Sequence, residues 1–293
     1  MEHVGFGLAH GTLGELIQGE IDMQPFLITC PINRYAVARF VPLNGSDIFG
    51  PRYKTKSLHA LSTLQKLING DGGELYLSSN IPVGKGMASS SADIVAACRA
   101  YAAAHQMELD PTVISQIASS VEPTDGVMYD RIIMYDHMHG HFIRSFDQMD
   151  SLLILSVDTG GNVDTVAFHR AVDIAYTKAE QDLLTQAVDM LCRGFQIGSS
   201  CLIGEATTLS ARINQRLLPK PNLEHFISFA NDRGAAGVVV AHSGTVMGIL
   251  WDIKMSGSYQ ATKRELASEF GPVSVFAVIQ GTSRNVTLPS LAT

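Results

Sequence analysis

Glycine, hydroxyl and a single lysine crowd into one short run, Ile81-Pro82-Val83-Gly84-Lys85-Gly86-Met87-Ala88-Ser89-Ser90-Ser91-Ala92. It falls between a strand pattern, Glu74-Leu75-Tyr76-Leu77-Ser78, and a helix pattern from about 89 to 101, in which Ile94, Val95, Cys98 and Tyr101 recur at helical spacing. Small residues let a backbone approach a ligand closely. The start of a helix presents unbonded N–H groups and the positive end of its dipole, which together favour phosphate. Lys85 adds a cation, and Ser89, Ser90 and Ser91 add donors and oxygens able to ligate a metal. The chemistry that fits is the cradling of a nucleotide polyphosphate by Pro82, Gly84, Lys85, Gly86, Met87, Ala88 and the three serines. The spacing is neither the Walker pattern nor the Gly-x-Ser-x-Gly elbow of serine hydrolases. The plain alternative is a tight turn before an N-capped helix, where Ser and Gly are common.

Other polar groups carry weaker signals. Glu122 and Asp125 stand three residues apart around Pro123, and on their own they read as flanking a turn. His137, His139 and His141 alternate, a spacing that puts all three on one side of a strand. Zinc would need a further ligand and a defined geometry, so a hairpin tip with exposed histidines is the favoured reading. His242-Ser243 is a polar pair beside Gly244 without an acidic third member, which disfavours a Ser-His hydrolase. Asp158-Thr159-Gly160-Gly161-Asn162-Val163-Asp164-Thr165 is a polar, turn-prone run after an apolar strand, a place where ligand contacts or a plain interdomain loop fit equally. Met190, Phe195 and Trp251 read as core.

The elements that must position these groups follow from pattern. Strands are expected at 26–30, 35–41 and 74–78, and an amphipathic helix at 57–68 through Leu58, Leu61, Leu64, Leu67 and Ile68. Another helix is expected at 111–120 and a hairpin at 132–144 around His139-Gly140. A buried strand at 151–157 precedes helices at 177–195, 199–213 and 223–233, strands at 237–241 and 246–251, a helix at 261–270 and a last strand at 273–279. That order reads as α+β, with helices on one face of an antiparallel sheet. The 293 residues allow two modest domains, divided here as 1–150 and 151–293.

Composition narrows the function. Hydrophobic residues make up 46% and charged residues 17%, which suits a packed globule. A formal charge of −7 opposes nucleic-acid binding by a broad basic surface but not ATP binding, which one loop and a metal can manage. No segment reads as a membrane span or a signal peptide. Cys30, Cys98, Cys192 and Cys201 lack Cys-x-x-Cys spacing and read as free thiols in a reducing cytoplasm. A cytoplasmic protein acting on a small molecule is therefore expected, with neither nucleic acid nor membrane as partner. A homodimer is one arrangement open to it.

Three motifs in order carry a family resemblance: Ala9-His10-Gly11-Thr12-Leu13-Gly14-Glu15-Leu16-Ile17-Gln18-Gly19, then the loop at 81–92, then Gly234-Ala235-Ala236-Gly237-Val238-Val239-Val240-Ala241-His242-Ser243-Gly244-Thr245-Val246. Together they resemble the GHMP kinase superfamily, named for galactokinase, homoserine kinase, mevalonate kinase and phosphomevalonate kinase. Within it, Gly14-Glu15-Leu16-Ile17-Gln18-Gly19 with Thr29-Cys30-Pro31-Ile32, and Glu122-Pro123-Thr124-Asp125-Gly126-Val127-Met128-Tyr129, look most like the L-threonine kinase branch of cobalamin biosynthesis. Departures are His10, where the superfamily usually has Pro, loose matches at Lys85 and Ala88, and a glycine-poor third motif.

The resemblance implies a two-domain GHMP kinase fold, with a ribosomal-S5-like N-terminal domain and a ferredoxin-like C-terminal domain. It implies ATP and Mg²⁺, and transfer of phosphate to the side-chain hydroxyl of L-threonine, giving O-phospho-L-threonine. Glu122 with Ser89 or Ser90 becomes the metal-ligand set, the choice of serine being open. Asp125 resembles the aspartate near the acceptor hydroxyl, where it either takes the proton or orients the group. Gly14 and Glu15 come near nucleotide and acceptor, and Thr159, Gly160 and Gly161 are candidates for the amino-acid headgroup. The competing readings are a homoserine kinase or another small-alcohol kinase of this fold, an ATP-dependent decarboxylase, and a catalytically inactive nucleotide-binding sensor.

Overall fold

The computed structural model describes residues 3–146, 149, 151–161, 176–217, 219–255 and 257–279. Two long strands form its spine. β1 (Gly5–Ile21) and β2 (Gln24–Pro42) pair antiparallel from Gly5↔Phe40 to Ile21↔Gln24. The turn between them is two residues, Asp22 and Met23, both at positive φ, the backbone a tight hairpin requires.

Beyond β2 lie β3 (Ile48–Phe49) and β4 (Gly73–Ser79), while β5 (Ile133–Asp136) and β6 (His141–Ser145) form a hairpin branching from β2 at Leu27 and Ile28. From the second half come β7 (Leu152–Asp158), β8 (Gly237–Val240), β9 (Val246–Asp252) and β10 (Val273–Ala277). The order β10-β7-β9-β8-β1-β2-β4-β3 makes one continuous sheet, joined between halves by the Glu15↔Val240 pair. A bridge from Ile32 to Val278 adds a second link.

The helices are α1 (Thr55–Ile68), α2 (Ser89–Ala104), α3 (Pro111–Val121), α4 (Lys178–Ile197), α5 (Ser200–Asn214), α6 (Leu223–Asp232) and α7 (Tyr259–Phe270). α2 is almost wholly buried and lies on the first part of β1. The approach is closer than any side chain permits: a Cβ on Gly5 would come 2.0 Å from the Ala100 carbonyl, and one on Gly7 2.0 Å from the Ala96 carbonyl. α4 and α5 cover the later part of β1, where the Ser210 hydroxyl accepts from the Gln18 N–H at 3.1 Å and the Asn214 amide donates to the Gln18 carbonyl at 2.9 Å. A second core gathers Leu155, Val238, Ile249 and Trp251 of the sheet against Phe226, Phe229 and Leu266 of α6 and α7.

Three sequence expectations change. The stretch 5–21, for which pattern predicts no element, is one strand; its glycines hide it because glycine is a poor strand former, yet the helix above demands them. The strands expected at 26–30 and 35–41 are a single strand, with the register shift between Ile32 and Tyr35 absorbing Asn33 and Arg34. The three histidines do not share a face, because β5 ends at Asp136 and the chain turns. His137 is buried, whereas His139 sits on the turn at 2.9 Å from Asp136 Oδ2, and His141 is exposed on β6.

Since an added methyl at Gly7 meets backbone rather than a movable side chain, Gly7→Ala should lower stability by about 1–3 kcal/mol. The reading is a lower urea midpoint at unchanged slope; an unshifted midpoint would mean that α2 does not rest on β1 as described.

Candidate active site

The glycine-rich loop has a regular backbone alternation. Gly84 (φ +72°), Gly86 (φ +75°) and Ala88 (φ +59°) are left-handed, with Lys85 and Met87 between them at negative φ. Alternation of this kind turns successive N–H groups toward one concave side and makes an anion nest. Ala88, the N-cap of α2, supplies no side-chain cap, so the first N–H groups of the helix face outward at the same place. The loop is packed backbone against backbone. A Cβ on Gly244, in the β8–β9 turn, would lie 2.1 Å from the Lys85 carbonyl, and the Thr12 N–H of β1 donates to the Met87 carbonyl at 3.1 Å. Below the turn, buried Lys220 donates to the Gly244 carbonyl at 2.7 Å, and burial lowers its ammonium to about 8.

A cleft opens beside this nest. Glu122, just past the end of α3, takes the Ser90 hydroxyl on Oε1 and the Lys56 ammonium on Oε2 at 2.5 Å. Asp125 follows on the same loop. Its N–H donates to Ser91 Oγ at 3.2 Å, and that hydroxyl donates to Asp125 Oδ2 at 3.3 Å. Burial pushes the Asp125 carboxyl up to about 6, against the Ser91 hydrogen bond and helped by the charge of Glu122.

Across the cleft, Glu15 is held well above the usual carboxylate range by burial and then by Asp125. It enters from a bulge in β1: three residues advance from Thr12 to Glu15 while two advance from Pro31 to Thr29, with Gly14 at φ +65° making the kink. Glu15 Oε2 and Gln18 Nε2 have no hydrogen-bond partner among the described residues. Gln18 Oε1 accepts from His242 Nδ1 at 2.6 Å, and the His242 ring meets His137 edge-on at 5.1 Å.

Of the residues singled out from sequence, the cleft brings together Glu15, Gly84, Gly86, Met87, Ala88, Ser89, Ser90, Ser91, Glu122 and Asp125. The others lie off its wall. Pro82 is exposed ahead of the loop, and Gly14 backs onto Val239 and Val240. Lys85 is turned to Asp158 Oδ2 at 2.7 Å and to the Gly161 carbonyl at 2.6 Å. Thr159, Gly160 and Gly161 are exposed, with Thr159 donating to the Thr245 carbonyl at 2.7 Å; the rest of that run, 162–165, lies outside the described residues.

The cleft also contains groups that sequence reasoning did not assign to it: Leu27, Thr124, His137, His242 and Ser243. Lys54 and Lys56 were missed as well, and the former pairs with buried Asp93. A signal existed for both. Lysines at a helix N-terminus oppose the dipole, so two of them there point to carboxylates waiting nearby.

An anion nest at a helix start, a serine-bound carboxylate beside it and two further carboxylates share one cleft. The family model for the GHMP kinases N terminal domain matches residues 55–130. The chain is 30% identical to an L-threonine kinase of Citrobacter freundii over 82% of this chain and 83% of that protein. It is 31% identical to an L-threonine kinase of Salmonella typhimurium, over 86% and 85% respectively. Among solved structures, homoserine kinase from Cytophaga hutchinsonii superposes with a TM-score of 0.72 at 15% identity, covering 96% of both chains. The chain belongs to the GHMP kinase family and has its fold. It is on that footing a small-molecule kinase that uses ATP. Among the described residues, no helix is long and apolar enough to cross a membrane.

The raised Asp125 carboxyl has a consequence for stability. Between about pH 4 and 6 the folded protein holds a proton there that the unfolded chain has lost, so the stability this group allows is full below that window and falls as pH rises through it. Asp125→Asn should therefore stabilise the fold at pH 8, on the order of 1–3 kcal/mol, and have no such effect at pH 4. Urea titrations at the two pH values measure the difference.

Proposed function

We propose that this chain transfers the γ-phosphoryl group of ATP to the side-chain hydroxyl of L-threonine. The observation that carries this reading is the placement of Asp125 and Glu15 in one cleft with the phosphate nest; the two L-threonine kinase relatives support it over more than four fifths of the chain. The nest and the start of α2 hold the β- and γ-phosphates. Asp125, steadied by Ser91 and ionised above about pH 6, orients the acceptor hydroxyl. The hydroxyl oxygen bonds to the γ-phosphorus as the bridging bond to ADP breaks, and the hydroxyl proton passes to Asp125 and on to solvent.

Ser90 and Glu122 are the pair that would hold Mg²⁺: both donors are hard oxygens, already in contact, at the rim of the nest. Bound there, the ion neutralises charge on the phosphates. Glu15 receives the acceptor's ammonium, which suits a buried carboxylate with an unpartnered oxygen. His137, His242 and Ser243 supply donors for its carboxylate. The division at 150, a cytoplasmic location and delivery of phosphothreonine to the aminopropanol arm of a corrinoid belong to the same proposal.

The deciding experiment is ADP release from Mg-ATP with L-threonine, L-serine, L-homoserine or no acceptor, with phosphorus NMR of the product. Threonine-dependent release with a phosphothreonine signal is expected. Activity with homoserine alone would replace the acceptor, and turnover with none of them would leave a nucleotide site only. One methyl and the hydroxyl position separate these acceptors, and a methyl contributes about 1–3 kcal/mol, so selectivity of about 10- to 200-fold is the scale to look for.

Two substitutions separate the roles. Asp125→Asn should lower kcat by about 10²- to 10⁴-fold with little change in KM for ATP. Glu15→Gln should raise KM for threonine about tenfold or more while KM for ATP stays put; parallel shifts in both constants would remove Glu15 from the acceptor site.

A further inference from the structure

The Lys56–Glu122 pair is unusual in its asymmetry. Glu122 is buried, its side chain 5% exposed, whereas the Lys56 side chain is 45% exposed and reaches in from solvent. Lys56 belongs to the first turn of α1, whose dipole repels a cation. Its neighbour Lys54 makes the contrasting case: there both partners are largely buried, 18% and 6% exposed, in a fixed structural pair with Asp93 on α2. Glu122 is thus served by two different kinds of group. Ser90, anchored on α2, takes Oε1, and a long flexible side chain takes Oε2.

A buried carboxylate without a counter-charge would be costly, and Asp125 on the same loop adds like charge. Something cationic must therefore sit on Glu122 when no metal does. A divalent ion held by Glu122 would neutralise the same carboxylate that Lys56 now neutralises.

We propose that Lys56 is the resident counter-ion of Glu122 and competes with the nucleotide-borne divalent metal for it, so that metal binding requires the ammonium to leave. This rests on the reading of Glu122 as a metal ligand given above. The arrangement keeps the carboxylate neutralised between turnovers, and it makes the site weak for bare metal and strong for metal that arrives with polyphosphate.

The test is a binding measurement without turnover. Free Mn²⁺ is followed by its EPR signal in titrations with a non-hydrolysable ATP analogue and no acceptor, using the full chain. Lys56→Met should bind Mn²⁺ about tenfold more tightly than the wild type, the scale of one charge removed at close range, and Lys56→Arg should stay near the wild type. Glu122→Gln should weaken Mn²⁺ binding, and adding Lys56→Met to it should bring no tightening. If Glu122→Gln leaves Mn²⁺ affinity unchanged, the metal reading itself is wrong. Should Glu122→Gln weaken binding while Lys56→Met fails to tighten it, the metal reading stands and the competition is overturned. Lys56→Gln, read alongside Lys56→Met, separates loss of charge from loss of the apolar stem.

Discussion

The near-contact of α2 with β1 is the constraint on which the rest depends. A helix can approach a strand to within backbone contact only where neither side carries a bulky side chain, and here Gly5 and Gly7 meet Ala96 and Ala100. That embrace leaves α2 no freedom to tilt. Its N-terminus, with unbonded N–H groups and three serines, is held against the Gly84–Gly86–Ala88 turn and the Met87–Thr12 hydrogen bond. A helix free to shift by an ångström would spoil both the nest and the Ser90 and Ser91 contacts. The cost is carried by a glycine-rich strand of low intrinsic propensity, which is stable because it is sandwiched, with α2 on one stretch and α4 and α5 on another.

Charge is arranged around that frame in a way that disfavours the empty fold and suits an occupied one. Glu15, Glu122 and Asp125 crowd one cleft, and burial raises the carboxyls of the first and last. Such clustering is typical of sites that await cations. Of the three, Glu122 has a lysine in the protein itself. The other two line the same cleft, where the proposed amino-acid alcohol would place its ammonium and hydroxyl groups, and binding it there would relieve repulsion that folding alone leaves in place. Basic groups sit behind the phosphate loop: Lys220 holds the Gly244 carbonyl, and Lys85 reaches to Asp158.

Much of this could be read before the structure, and the reasons for the exceptions are physical. The loop at 81–92 and the start of α2 were visible because glycine and serine at a strand-to-helix junction have a local meaning. Glu122 and Asp125 were visible only through family resemblance, since nothing local distinguishes them from turn carboxylates. β1 was obscured because its glycines answer to a helix some ninety residues away in sequence. Asp158, which lies 2.7 Å from the Lys85 ammonium, is a partner that local pattern does not show. His137 and His242 reach the cleft, and Lys56 reaches Glu122, through tertiary packing alone.

Glu15 shows how closely architecture and recognition are bound together. Its backbone pairs with Val240, which joins β1 to β8 and so links the sheet strands of the two halves of the chain. Its side chain enters the cleft because the bulge at Gly14 displaces the strand by one residue just before it. Without the bulge, the alternation of a regular strand would send that carboxylate to the opposite face. The same kink presses Gly14 against Val239 and Val240, so the strand distortion that aims the carboxylate also seats the second half of the sheet. The cleft draws Glu15 and Leu27 from the first hairpin, its serines from α2, and His242 and Ser243 from the β8–β9 turn. A site assembled from such distant parts needs the two halves locked in register. In this fold the residue proposed to read the acceptor's ammonium is itself one of the residues that lock them.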